Sequence, residues 1–338
     1  MQFGLFGGAR TKRSDGAADS HAYGDFIAYV SEAERLGFRS IFLVEHHFTG
    51  AGQISASLTL LAYLAARTRT MRLGTAVIVL PWHNPVLLAE QAATVDLLSD
   101  GRLDFGVGKG YRAGEFAGFH IPMGEATERF DEAIEVIRKA WTSAGRFSHH
   151  GKRWRYDDIV VEPQPLQVPH PPLWLAAGSP DSIRRAAREG YNLLLDQLGS
   201  IALTVERVAL FREECRAIGR AYHPAMVGVT RALQIVRNEA ELKAAYETRA
   251  RVVRTIGDLA RGGGTSAPPE HDDAPLLGTP AEIVARLAKL QAGGVENVLL
   301  VDPAANVESL RTFASEIMPA VADTRNASPL GSYRSPHL

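Results

Sequence analysis

Short apolar runs alternate along the chain with longer stretches in which Ala, Leu, Ile and Val return every three or four positions. The first pattern fits buried strands, and the second fits helices that turn one apolar face inward. The runs predict strands near 2–7, 39–44, 71–79, 102–107, 172–177, 191–196, 226–236 and 296–301. The periodic stretches predict helices at 22–36, 55–67, 85–98, 126–142, 202–218 and 279–292. Strand followed by helix, repeated, is the rhythm of βα units around a parallel sheet. Eight strands favour closure into an α/β TIM (β/α)8 barrel. An open doubly wound sheet would carry G-x-G-x-x-G after its first strand, and Gly4, Gly7 and Gly8 lack that spacing.

Two segments interrupt the rhythm. Residues 145–172 hold Gly145, Gly151 and the prolines Pro163, Pro165, Pro169, Pro171 and Pro172, which predicts short strands and turns inserted after the helix at 126–142. Residues 258–278, between the seventh and eighth strands, are rich in Gly, Pro and Asp, with Gly262, Gly263 and Gly264 in a row. Such a stretch in a compact domain reads as a lid or as unstructured chain. One domain is expected over 1–322, with an unfolded tail over 323–338 where Asn, Ser, Pro and Gly replace apolar residues.

Charge and cysteine content narrow the classes. With 37 Lys and Arg against 38 Asp and Glu, the net charge of -1 provides no basic field for nucleic acid or an anionic membrane. A single cysteine, Cys215, excludes an intrachain disulfide framework and a cysteine-based metal cluster, and reads as a small apolar helix residue. Met1 leads straight into Phe3-Gly4-Leu5-Phe6 without an export signal, and no apolar run approaches the roughly 20 residues that span a bilayer. A cytoplasmic location is expected.

In such a barrel the active site lies at the C-terminal ends of the strands. Glu45-His46-His47-Phe48 follows the second strand. Successive side chains on a regular strand point to opposite sides, so at most one of the two histidines should face the mouth. Adjacent histidines seldom ligate one ion, and no second histidine cluster offers partners, so no metal is expected. After the fourth strand comes Gly106-Val107-Gly108-Lys109-Gly110-Tyr111-Arg112, ahead of Glu115-Phe116. Its glycines allow a ligand to approach the backbone, and its lysine can meet an anion. After the fifth comes Ala177-Gly178-Ser179-Pro180-Asp181-Ser182. Ser as N-cap and Pro in the first turn mark a helix start whose free N–H groups suit a phosphate, although routine capping explains the same residues. The third strand ends in Gly74-Thr75-Ala76-Val77-Ile78-Val79-Leu80-Pro81, where small residues allow either a flat ring to lie alongside or tight core packing.

Together these segments resemble the bacterial luciferase superfamily. Leu43-Val44-Glu45-His46-His47-Phe48-Thr49 is similar to that family's second-strand ending, and the run from Gly74 to Pro81, with Pro85 and Ala89-Glu90, to its third unit. Ser99-Asp100-Gly101-Arg102 leading to Gly106 and Gly110 is similar to its fourth, and Gly278-Thr279-Pro280 to the start of its last major helix. The likeness runs over roughly residues 1–320. It implies FMN, in its reduced form FMNH2, bound in the barrel mouth, with His46 as the catalytic histidine and Glu115 as an acidic residue for flavin handling. Ala76, followed by Val77, would lie behind the isoalloxazine ring, in a strand where relatives carry a non-prolyl cis peptide. Lys109, standing where relatives often have arginine, would bind the cofactor with Gly110 and Tyr111. Ala177, Gly178, Ser179 and Ser182 would form the phosphate end. Gly108 in place of a reactive cysteine and Asp196-Gln197 in place of an aromatic-containing segment remove the expectation of light emission.

The implied activity is a flavin-dependent monooxygenase, in which reduced FMN and O2 form a flavin C4a-hydroperoxide that oxygenates a small organic substrate. His46 suits the acid/base role because its ordinary pKa lies near 6.5. A separate NAD(P)H:flavin reductase is the expected source of FMNH2, since the chain lacks a nicotinamide-binding fingerprint. A homodimer through the helices at 55–67 and 85–98 is also expected. Two alternatives stand beside this reading: a deazaflavin (F420)-dependent dehydrogenase of the same superfamily, and a non-catalytic flavin-binding protein. These motifs are shared by oxidisers of many compound classes, so the substrate stays open.

Overall fold

A computed structural model of the protein describes residues 1–11, 16–261, 273–302 and 304–321. The strands in chain order are β1 (Gln2–Gly7), β2 (Ser40–Leu43), β3 (Arg72–Thr75), its short continuation β4 (Ile78–Val79), β5 (Leu103–Gly108), β6 (Phe147–His150), β7 (Arg155–Ile159), β8 (Leu173–Ala176), β9 (Asn192–Leu195), β10 (Val227–Ile235), β11 (Leu276–Gly278) and β12 (Asn297–Val301). The circuit β1-β2-β3-β5-β8-β9-β10-β12 returns to β1 through the Gln2↔Asn297 register, and every pairing in it is parallel. This is the closed eight-stranded barrel that the apolar runs predict.

The main helices are α1 (Gly16–Arg35), α2 (Ser57–Arg67), α3 (Pro85–Leu98), α4 (Ala113–Gly118), α5 (Ala126–Thr142), α6 (Pro180–Arg188), α7 (Ile201–Ala217), α8 (Glu239–Arg261) and α9 (Pro280–Ala292). Local chemistry explains their starts. Asn84 accepts the N–H groups of Val86 and Leu87 ahead of Pro85, and Thr279 exchanges hydrogen bonds with Glu282 ahead of Pro280. Burial explains their faces: α5 sinks Phe130, Ile134, Ile137 and Trp141, three or four residues apart, into the core. Cys215 is buried in α7, as expected for an apolar helix residue.

The bore of the barrel is filled. Phe42, Trp174, Leu194 and Leu299, from β2, β8, β9 and β12, form a buried cluster. Glycines on the other strands leave room for them: a Cβ on Gly74 would overlap the Phe42 ring, and one on Gly228 would press on Leu194, Leu299 and Trp174. Near the strand starts Trp174 Nε1 donates to Asp104 at 3.0 Å, and Asp104 also accepts from Arg72 Nε at 2.6 Å. With the interior plugged, ligand chemistry is left to the loops at the C-terminal end.

Four features depart from expectation or refine it. The strand read at 71–79 breaks after Thr75, and the Ala76–Val77 peptide is cis. The inserted segment is an antiparallel hairpin of β6 and β7. The 23-residue α8 was not anticipated, because its sequence is dominated by charged and alanine positions. The expected lid shrinks at both ends: α8 runs on to Arg261, and Leu276–Gly278 pair with the extended end of β10. Residues 262–272 of that segment and the expected tail at 323–338 lie outside the described residues. Among the described residues, no helix is long and apolar enough to cross a membrane.

Candidate active site

Two carboxylates organise the strand-two end of the mouth. Glu45 is buried, and its Oε2 accepts the Val79 N–H at 2.7 Å while its Oε1 meets His83 Nε2 at 2.7 Å and His47 Nε2 at 3.1 Å. Burial by itself would raise the Glu45 pKa, but these three donors outweigh it and hold the group below the usual carboxylate range. Glu115, buried in α4, meets His46 Nδ1 at 3.0 Å through Oε1 and accepts the His47 backbone N–H at 2.9 Å through the same atom. A carboxylate can only accept, so His46 donates from Nδ1 and, among the described residues, keeps Nε2 free as an acceptor. Burial lowers the His46 pKa; the Glu115 hydrogen bond opposes that shift, and the charge of Arg112 reinforces it.

The expectation that only one histidine faces the mouth fails. His46 and His47 both line a cavity of about 580 Å³, together with Thr49, Gln53 and Ser55. The regular strand ends at Leu43, so the pleat that would separate the two rings is lost. Their ring nitrogens still diverge, one to Glu115 and the other to Glu45.

A second group of predicted residues forms a shelf. Ala76 and Val77 are half-buried and pack with Phe6 on top of the bore cluster. A Cβ on Gly106 would overlap the Thr75 carbonyl, and one on Gly108 would come 2.6 Å from Val77 Cγ2, so only glycines keep this surface low. Gly110 turns the chain at φ +76°, a region that favours glycine, and the exposed Tyr111 has the Arg112 guanidinium 5.5 Å from its ring centroid. Trp82, Phe116, Phe119 and the His47 ring make an aromatic cluster beside the acid–histidine pair.

The third group is the candidate anion end. Ser179 caps α6 by accepting the Ser182 N–H, while Ser182 Oγ accepts the Ser179 N–H at 3.1 Å. Ser179 is exposed, and Ala177 and Gly178 lead into it half-buried. Lys109 is exposed, with Nζ 3.3 Å from Thr127 Oγ1. Lys109 follows β5 and Ser179 follows β8, which are neighbours, so closure of the barrel puts both on the same side of the mouth. Three side chains of the region escaped sequence reading. Glu45 was visible only as the residue before two histidines. Gln53 lies in a loop without a motif, yet its Oε1 accepts from buried Arg112 at 3.2 Å. Arg207 resembles any arginine on a helix surface, yet its guanidinium lies beside Gly178.

The chemistry of these groups is compatible with a flat ring that carries a phosphate. They comprise a low shelf, a histidine acceptor at the end of β2, and a lysine and a capped helix start that follow neighbouring strands. Arg112 Nε, Trp82 Nε1 and Arg207 Nε, on residues that touch these groups, are buried without a partner among the described residues.

The model of the luciferase-like monooxygenase family matches residues 1–297. An FMNH(2)-dependent dimethylsulfone monooxygenase of Pseudomonas putida is 30% identical over 297 residues, covering 79% of this chain and 79% of that protein. The oxygenase component of a flavin-dependent trigonelline monooxygenase from Acinetobacter baylyi is 34% identical over 201 residues, 59% of this chain and 55% of that protein. Matches to several curated relatives span about half of their length, 47% in one case. Among solved structures, monooxygenase RslO1 from Streptomyces bottropensis superposes with a TM-score of 0.84 at 27% identity, over 95% of this chain and 100% of that one. A secondary alcohol dehydrogenase that depends on the deazaflavin F420 shares the fold at a TM-score of 0.73 and 19% identity, over 95% and 99% of the chains.

Proposed function

The chain belongs to the luciferase-like monooxygenase family, and from that premise we propose that it binds FMNH2 in the barrel mouth and uses O2 to oxygenate a small organic substrate. The observation that carries this reading is the His46–Glu115 pair, opening on a cavity of about 580 Å³ in a mouth that also holds the Ala76–Val77 shelf. Bound reduced flavin would supply the electrons that activate O2, one oxygen atom going to substrate and the other to water.

The chain's own residues supply position and proton handling. His46, neutral near pH 7, accepts a proton at Nε2 and returns it, while Glu115 fixes its tautomer and balances the charge when the ring is protonated. Glu45 holds His47, His83 and the β4 backbone in place around that pair. Ala76 and Val77 support the ring, and Gly110 and Tyr111 border it. Lys109, with Ala177, Gly178, Ser179 and Ser182, holds the phosphate. An NAD(P)H:flavin reductase provides FMNH2, in keeping with a relative that is named as an oxygenase component. A homodimer through α2 and α3 is supported by the exposure of Tyr63, Leu87, Leu97 and Leu98 on those helices.

Anaerobic titration with FMNH2, oxidised FMN and F420, followed by mass spectrometry of products formed under isotope-labelled O2, tests the proposal. Tighter binding of FMNH2 than of the other two, with label in product, is expected. Preference for F420 would move the activity to a dehydrogenase, a reading kept because such an enzyme shares the fold. Tight FMN binding without labelled product across a broad panel would leave a flavin-binding protein.

A further inference from the structure

Arg207 lies in the wall between the loops that follow β8 and β9. Its guanidinium passes between two glycines: a Cβ on Gly178 would stand 3.2 Å from Nη2, and one on Gly199 would stand 3.2 Å from Nη1. Only 18% of the side chain is exposed, so this is not an arginine extended into water. An arginine offers five N–H donors. Among the described residues one is engaged, from Nη1 to Asp196 Oδ2 at 3.0 Å, and the buried Nε has no acceptor. Nη2 is left beside Gly178, immediately ahead of the Ser179 cap of α6. Strand order adds a further argument. β8 lies between β5, which carries Lys109 at its end, and β9, whose following loop holds Asp196, so the two cations approach the β8–α6 turn from opposite flanks.

Asp196 has two tasks. Its Oδ1 accepts the N–H groups of Leu198 at 2.7 Å and Gly199 at 3.0 Å, which shapes the loop, and its Oδ2 takes Arg207. Resting on the cofactor reading above, we infer that Arg207 is a further phosphate-binding residue and that Asp196 competes with the phosphate ester for its guanidinium. A grip loosened by an internal carboxylate suits a cofactor that is exchanged between proteins rather than held permanently.

The test is anaerobic equilibrium titration of the full chain with FMNH2 and with reduced riboflavin, which lacks the phosphate. Arg207→Ala should weaken FMNH2 about tenfold, the lower range for a charged hydrogen bond at a partly solvated site, and leave reduced riboflavin unchanged. Asp196→Asn keeps an oxygen for the loop N–H groups and should tighten FMNH2 about threefold. Inorganic phosphate should displace FMNH2 from the wild type more readily than from the Arg207 variant. If Arg207→Ala leaves FMNH2 affinity within twofold while the wild type still prefers FMNH2 to reduced riboflavin, this inference fails and the cofactor reading survives. Equal weakening of both ligands marks a structural arginine and also overturns it. A wild type that does not distinguish the two flavins defeats the cofactor reading and this inference together.

Discussion

Replacing Glu115 with Gln keeps the side-chain shape and an oxygen for the His47 N–H, but removes the negative charge 3.0 Å from His46 Nδ1 and 3.7 Å from Arg112 Nη1. Two unit charges about 4 Å apart attract by about 4 kcal/mol at an effective dielectric near 20. His46 retains 14% side-chain exposure and the Gln oxygen can still accept, so we take about a third of that figure, which corresponds to about one pKa unit. The direction follows from the causes: burial and Arg112 lower the His46 pKa, and Glu115 is the group that opposes them. The wild-type value should lie below the ordinary 6.5, and the Glu115→Gln value should be lower again by about one unit. Between the ordinary value and the depressed one the unfolded chain binds more protons, so the histidine's linked contribution to stability is present above about pH 6.5 and is lost as pH falls through the folded pKa. In the variant that window extends to lower pH. Titration of the histidine Cε1–H signals by NMR, with the His46 resonance identified by its loss in His46→Ala, measures both values. An unchanged or higher pKa in Glu115→Gln would refute the pairing as the source of His46 chemistry.

Lys109→Ala should weaken FMNH2 binding by about 1 kcal/mol, a small value because the ammonium is exposed, and turnover should recover at saturating cofactor. Flavin fluorescence titration beside a saturation rate measurement checks it, and a rate that stays low at saturation would place the lysine in the chemistry instead. Glu45→Ala should lower stability by about 3 kcal/mol, since it leaves two histidine nitrogens and the Val79 N–H without their acceptor. Because the folded Glu45 pKa is depressed, its contribution is present above about pH 4.5 and lost as pH falls through the folded pKa, so urea unfolding should show a smaller loss of stability below about pH 4.5 in the variant. Gly74→Ala should destabilise by about 1–3 kcal/mol through overpacking against the Phe42 ring, read as a lowered unfolding midpoint; no change would mean that the bore has slack.

Local signals carried the sequence a long way. α3 and α5 begin and end where periodicity put them, at 85–98 and 126–142, and the cap at Ser179 was readable because a capping side chain acts within one turn of its own residue. Burial on a closed parallel sheet makes each strand a nearly continuous apolar run, so eight strands could be counted without knowing their partners. Candidate residues for the site could also be named individually, since strand-end positions in a barrel are where ligand chemistry collects. Their assembly was not. His46 and Glu115 are 69 positions apart, and their hydrogen bond exists only because closure of the barrel brings the β2 and β5 ends to one mouth. Which carboxylate each histidine meets depends on the pleat ending at Leu43, a local irregularity without a compositional mark. The 276–278 strand depends on an edge offered by the extended β10, and Arg207 depends on two distant glycines leaving its guanidinium room. Period and capping are set by neighbours within a few residues, whereas pairing, close approach and charge partnership are set by which distant elements the fold places side by side.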